Sequence, residues 1–225
     1  EYLPKHLPLY EKACNVSEKI ISLKPDKNKI PELQESINIC HLNITPTGAT
    51  SFAMTFPLFI IIFGFIFGYG VPLALTGTGS TFFVFIAFIT GIGLMIPLGK
   101  LPYFFANNWR MKASNQMVLC IFYIVTYMRH TSNLELAIDF AAEHLSPPLS
   151  IDLKKIVWNI ETQKFFSIKE SLDAYLQTWE KWNREFIESM HLIEASLYEG
   201  SEDRRLNSLD KSLTVILDET YEKML

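Results

Sequence analysis

The sequence predicts an all-α integral membrane protein, a two-helix transmembrane hairpin joined to a six-helix cytoplasmic bundle. Three observations predict it. No Lys, Arg, Asp or Glu occurs from Ser36 to Gly99. Residues 100–225 hold 14 of the 20 basic and 18 of the 24 acidic residues, and a single glycine, Gly200. Helix-start signals recur through that second half. A water-exposed helix needs a polar face, whereas lipid removes that need and penalises charge at its centre by roughly 2.5–3.5 kcal/mol per residue.

Residues 1–50 read as a short cytoplasmic helical segment. Leu9, Ala13, Val16, Ile20 and Leu23 fall at helical spacing, and Pro25-Asp26 ends that helix. A second helix starts at Pro31, with Leu33, Ile37 and Cys40 on one face. Asn43 to Thr50 is rich in turn formers and reads as a loop.

Residues 51–99 form the hairpin. The first span runs from about Phe52 to Leu75, with Pro57 near its first turn and Pro72 near its far end. The second runs from about Phe82 to Leu98, and Thr76 to Ser80 make a tight turn between them. About 20 apolar residues cross a hydrocarbon core of about 30 Å. Lys24, Lys27 and Lys29 precede the hairpin, and Lys100, Arg110 and Lys112 follow it. The positive-inside rule puts both ends in the cytoplasm, in a multi-pass cytoplasmic (inner) membrane protein. Gly64 and Gly68 make a G-x-x-x-G pair, and Gly91 and Gly93 lie on the second span. Small residues there let membrane helices approach closely, either each other or a partner's.

Residues 100–225 read as six helices: Asn107–Arg129, Ser132 to before Pro147, Ser150–Thr162, Ser167–Thr178, Lys181–Tyr198 and Arg204–Met224. In the first, the apolar stretch Met117–Met128 is too short to span, so it reads as the buried central helix. Ser132-x-x-Glu135 and Ser167-x-x-Glu170 are capping boxes, in which serine accepts from a free N–H and glutamate reaches back to the cap. Leu134, Ile138 and Asp139 match Ile168, Leu172 and Asp173 at a constant offset, an internal pseudo-repeat.

Catalytic and cofactor motifs are missing. The sequence has no phosphate-binding glycine loop, no H-E-x-x-H and no C-x-x-C. No catalytic, cofactor-binding or metal residue is expected, and the net charge of −4 gives no reason to expect nucleic acid. His6, His41, His130, His144 and His191 are scattered, and Cys14, Cys40 and Cys120 read as reduced thiols. Glu143 and His144 are adjacent on a helix and point about 100° apart, so they do not face each other. The most polar spot is the turn Glu199 to Arg205.

On these residues the second half resembles the F domain of type II secretion and type IV pilus platform proteins, in the form found in archaeal pilus and archaellum assembly. The helix starts that carry the resemblance read Ser132-Asn133-Leu134-Glu135-Leu136-Ala137-Ile138 and Phe166-Ser167-Ile168-Lys169-Glu170-Ser171-Leu172. The turn before the last helix reads Glu199-Gly200-Ser201-Glu202-Asp203, and Leu42 to Pro46 is similar to the segment before a membrane helix in archaeal members. Asn133 and Ser167 stand where that family often has glycine. Members usually carry further membrane helices after the bundle, so by that comparison this chain is a fragment or one half of a split platform.

The resemblance implies a non-enzymatic role. The bundle engages a hexameric secretion ATPase, the membrane part meets pilin-like subunits, and the platform forms a homo-oligomer in the lipid membrane, with Lys100 to Asn108 as the coupling segment. Candidate partner-binding residues are Glu199, Glu202, Asp203, Arg204 and Arg205, with Lys154 and Lys155 as a second patch. Two other readings are weighed against it: a membrane-anchored helical adaptor or signalling protein unrelated to pili, and a lipid-acting membrane enzyme using His130, Asp139 or Glu143.

Overall fold

The computed structural model describes residues 7–77, 79 and 81–224, and among these every regular element is a helix. The chain divides into two compact units, residues 1–109 and 110–225.

In the first unit, α1 (Pro8–Ile20) and α2 (Ile30–Ile39) precede α3 (Pro46–Phe65). Where a loop was expected over 43–50, α3 has already begun. Thr45 caps it by accepting from Gly48 N at 2.9 Å, and Pro46 takes the first helical turn, where its missing N–H costs nothing. Pro57 is consequently in mid-helix rather than in a first turn. A five-residue π-turn, Ile66–Gly70, follows α3 and leads into α4 (Val71–Thr76). Pro72 comes just after that turn. In a regular α-helix its ring would crowd the carbonyl of Gly68, and the wider turn relieves this. Gly77, at φ 73°, ends α4 in the left-handed conformation that glycine adopts without strain. Of the expected tight turn, Thr78 and Ser80 lie outside the described residues.

α5 (Thr81–Gly99) returns alongside α3. The continuous stretches Pro46–Leu75 and Thr81–Gly99 are long and apolar enough to cross a membrane. Only 6% and 11% of their most apolar windows are buried, so these helices are not the core of this unit. Three glycines set their approach. A Cβ built on Gly64 would lie 2.0 Å from Ala87 Cβ, one on Gly68 2.8 Å from Phe83 Cβ, and one on Gly91 2.6 Å from Ile61 Cγ1. Gly93 has nothing within 4 Å. Thus Gly64, Gly68 and Gly91 serve contact within the hairpin. The core of this unit lies at one end of it, where Cys14, Leu33, Ile37, Cys40, Ala49 and Ala106 cluster. Ala106 comes from α6 (Leu101–Ser114), which runs through the boundary between the units.

The second unit contains α7 (Met117–Thr131), α8 (Leu134–His144), α9 (Leu149–Glu161), α10 (Ile168–Leu176), α11 (Arg184–Ser196) and α12 (Glu202–Met224). The expected helix over 107–129 is two helices. Asn115 and Gln116 break it, where Gln116 N donates to Ala113 O at 2.9 Å and Gln116 Oε1 accepts from Leu149 N at 3.3 Å. α7 buries Met117, Cys120, Ile121, Ile124, Val125 and Met128 against α8, α11 and α12. Its other face exposes Leu119 and Phe122, so it is buried on one face rather than all round. Each large side chain fully buried here contributes about 1.5–3 kcal/mol relative to exposure.

The two helix starts differ from the expected boxes. Ser132 is in the left-handed conformation, φ 49°, ending α7. Asn133 caps α8 in its place, accepting from Leu136 N at 3.1 Å. Ser167 does cap α10, accepting from Glu170 N at 3.3 Å, while Glu170 reaches back to Phe166 N at 3.0 Å, one residue before the cap.

Candidate functional site

The turn between α11 and α12 brings Glu199, Glu202, Asp203, Arg204 and Arg205 together, but they do not form one exposed charge patch. Ser201 starts α12, its carbonyl accepting from Arg205 N at 3.0 Å. Glu202 and Asp203 fall in the first turn, where negative charge meets the positive end of the helix dipole. Glu202, Asp203 and Arg204 are exposed and Glu199 is half-buried.

Arg205 turns inward and is 8% exposed. It donates through Nη1 to Met128 O at 2.7 Å and through Nη2 to Arg129 O at 3.2 Å. Its Nε and Nη2 also donate to the two carboxylate oxygens of Glu202 at 3.1 and 2.6 Å. The hydrogen bonds from Arg205 hold the Glu202 carboxyl below its ordinary range, and the same bonds hold the guanidinium pKa up. Arg205 therefore terminates α7 and is not an exposed partner contact. The side chain of Arg129 in turn pairs with Asp210 of α12.

Lys154 and Lys155 lie on α9. Lys154 is exposed. Lys155 is half-buried, and burial lowers its pKa. Near it, the buried Asp152 accepts from the Tyr175 hydroxyl at 3.2 Å, and burial raises the Tyr175 pKa well above its ordinary value. Lys155 is thus partly integrated into the packing of α9 rather than being a projecting surface charge.

An open surface pocket of about 370 Å³, lined by charged side chains, was not anticipated. It is lined by Lys169 and Asp173 of α10, His191, Glu194 and Ala195 of α11, and Tyr198. Lys169 pairs with Glu194, whose hydrogen bond raises the lysine pKa, and the ammonium lies 5.9 Å from the Tyr198 ring centre. His191 Nε2 is 3.7 Å from Asp173 Oδ1. One ligand atom each from Asp173, His191 and Glu194 lies within 4.8 Å of the others, a donor set that suits a divalent cation. Lys169 already places a positive charge against Glu194, so a metal would have to displace it. The spacings Lys169-x-x-x-Asp173 and His191-x-x-Glu194 are the sequence signal for this pocket, because each puts two groups on one helix face.

His144 donates through Nδ1 to Phe140 O at 2.8 Å, and its ring centre lies 4.1 Å from that of Phe140. His130, Asp139 and Glu143 are exposed on α7 and α8. The three cysteines are buried and in no disulfide, and burial pushes the Cys14 thiol up to about 11. No protein-family model, no curated protein and no solved structure matches this chain.

Proposed function

We propose that this chain is a platform protein of a type IV pilus, archaellum or type II secretion-like machine, coupling a hexameric secretion ATPase to pilin-like subunits. The observation that carries the reading is the repeated helix start in the second unit. Asn133 and Ser167 cap α8 and α10 at the spacing that also pairs Leu134 with Ile168 and Ile138 with Leu172. That repeat stands in the same chain as an apolar hairpin free of Lys, Arg, His, Asp and Glu, and it is the feature shared with the F-domain resemblance. In this reading both ends of the hairpin face the cytoplasm, because the lysines and arginines flank it and the intervening turn carries none. The exposed charges Glu202, Asp203, Arg204 and Lys154 meet the ATPase, where they steer encounter more than they set affinity.

The test is binding between the full chain in lipid nanodiscs and the secretion ATPase encoded in the same genome. Micromolar or tighter binding that stimulates ATP hydrolysis supports the platform. A folded chain that binds no such ATPase is instead a membrane-anchored adaptor or signalling protein.

A further inference from the structure

α1 is inside out for a helix in water. A water-facing helix buries its apolar stripe and exposes its polar one. Here the buried face carries Glu11, Cys14 and Ser17, at 7%, 0% and 8% exposure, while Leu9, Val16 and Ile20 face outward at 84%, 47% and 56%. Lys12 and Lys19 border that outward apolar face, and Lys24 is exposed just beyond it.

The inward polar groups are committed to the base of the first span. Glu11 accepts from Asn43 N at 3.0 Å, and Glu18 accepts from the Thr45 hydroxyl at 2.8 Å. Asn15 donates to Asn43 O at 3.2 Å, and Leu23 N donates to Ser51 Oγ at 3.0 Å. The acidic residues of α1 are therefore turned toward α3, and lysines remain on the side that looks away.

The level of these contacts along the hairpin can be read from α5. Its last residue, Gly99, is level with Ala53: a Cβ there would lie 3.9 Å from Ala53 Cβ. At 1.5 Å per residue α5 is about 28 Å long, which matches a hydrocarbon core of about 30 Å. The stretch Pro46–Leu75 is about 45 Å long, the thickness of core and headgroup layers together. Residues 45–52, to which α1 is tied, therefore lie just past the hydrocarbon boundary.

We propose that α1 is an interfacial helix. Its Leu9–Val16–Ile20 face seats in the headgroup layer of the bilayer that the hairpin crosses, and Lys12 and Lys19 bind anionic lipid headgroups. This rests on the membrane-spanning reading of the hairpin but not on any ATPase.

The test uses the full chain in phosphatidylcholine–phosphatidylglycerol vesicles, spin-labelled singly at Leu9→Cys, Val16→Cys or Phe63→Cys. The native cysteines are at most 1% exposed and do not compete for label. Accessibility to oxygen is compared with that to a water-soluble nickel complex. Positions 9, 16 and 63 are expected to favour oxygen. Adding Lys12→Gln with Lys19→Gln is expected to shift position 16 several-fold toward the nickel complex and to leave position 63 unmoved. Nickel-favoured values at 9 and 16 with position 63 still in lipid overturn the proposal, as does a position 16 that ignores the lysine changes. A nickel-favoured position 63 overturns the spanning hairpin as well.

Discussion

The guanidinium of Arg205 donates at 2.7 Å to the main-chain carbonyl of Met128, a residue 77 positions earlier in the chain. The last carbonyls of a helix lack intrahelical partners, and α12 supplies one to α7 through this side chain. Arg205→Ala removes its charged hydrogen bonds to the Met128 and Arg129 carbonyls, leaving Ser132 N at 3.3 Å as the donor to Met128 O. It is expected to cost roughly 2–3 kcal/mol, read as a lower midpoint in chemical denaturation of the detergent-solubilised chain. Arg204→Glu, one residue away and exposed, is expected to leave the midpoint within about 0.5 kcal/mol. In the platform reading it weakens ATPase binding several-fold, and unchanged binding removes Arg204 from that surface.

Glu202 makes the same junction sensitive to acid. Its folded pKa is depressed by hydrogen bonds from Arg205. A depressed carboxyl contributes stability above its unfolded pKa, and that contribution is lost as pH falls through the lower folded value. Melting temperature is therefore expected to fall on acidification below about pH 4.5, where an unperturbed glutamate is about half protonated. The Glu202→Gln chain should show a shallower fall over the same range. Parallel curves for the two proteins would mean that Glu202 adds nothing.

The glycines of the hairpin separate into two kinds. Gly64→Val forces Ala87 away and is expected to destabilise helix pairing by about 1–3 kcal/mol, measured by titration with a denaturing detergent. Gly93→Val, on the open side of the same hairpin, is expected to be near neutral. Equal effects would show that close approach at Gly64 does not hold the spans together.

The α7–α8 junction distinguishes two neighbouring residues. Asn133→Ala removes the cap of α8 and is expected to cost about 1 kcal/mol. Ser132→Gly relieves a left-handed backbone and is expected to be neutral or to stabilise by up to about 1 kcal/mol. Thermal denaturation of both variants decides it, and a larger loss at Ser132 would restore the serine as the cap.

The hairpin was legible in sequence because the run from Ser36 to Gly99 without Lys, Arg, Asp or Glu is a long-range signal that one loop cannot mask. Helix ends were less legible because several residues near each end can cap. Ser132 looked the better cap by its glutamate three residues on, yet the pseudo-repeat aligned Asn133 with Ser167, and the structure follows the repeat. The start of α3 was missed because Thr45-Pro46-Thr47-Gly48 has the composition of a loop, and Pro46 at a first turn is compatible with both. Arg205 was misread for a different reason. Burial of a cation depends on acceptors supplied 77 residues away, which no local pattern displays. The pocket at Lys169 and His191 needed two helices to be set side by side, although each half was visible as helical spacing.

The wide turn at Ile66–Gly70 bears on how this span tolerates change in length. Such a turn holds one residue more than an α-turn needs and accommodates it without breaking the helix. Removing one residue between Ile66 and Gly70 can be taken up by tightening this turn, leaving the chain on its N-terminal side in place. Side chains from Val71 onward would then keep their direction around the axis, whereas the same deletion in a regular α-helix would swing them by about 100°. The span thus carries a built-in point at which one residue can be lost without turning its far half, and a helical face traced up from Pro46 shifts by one sequence position on crossing it.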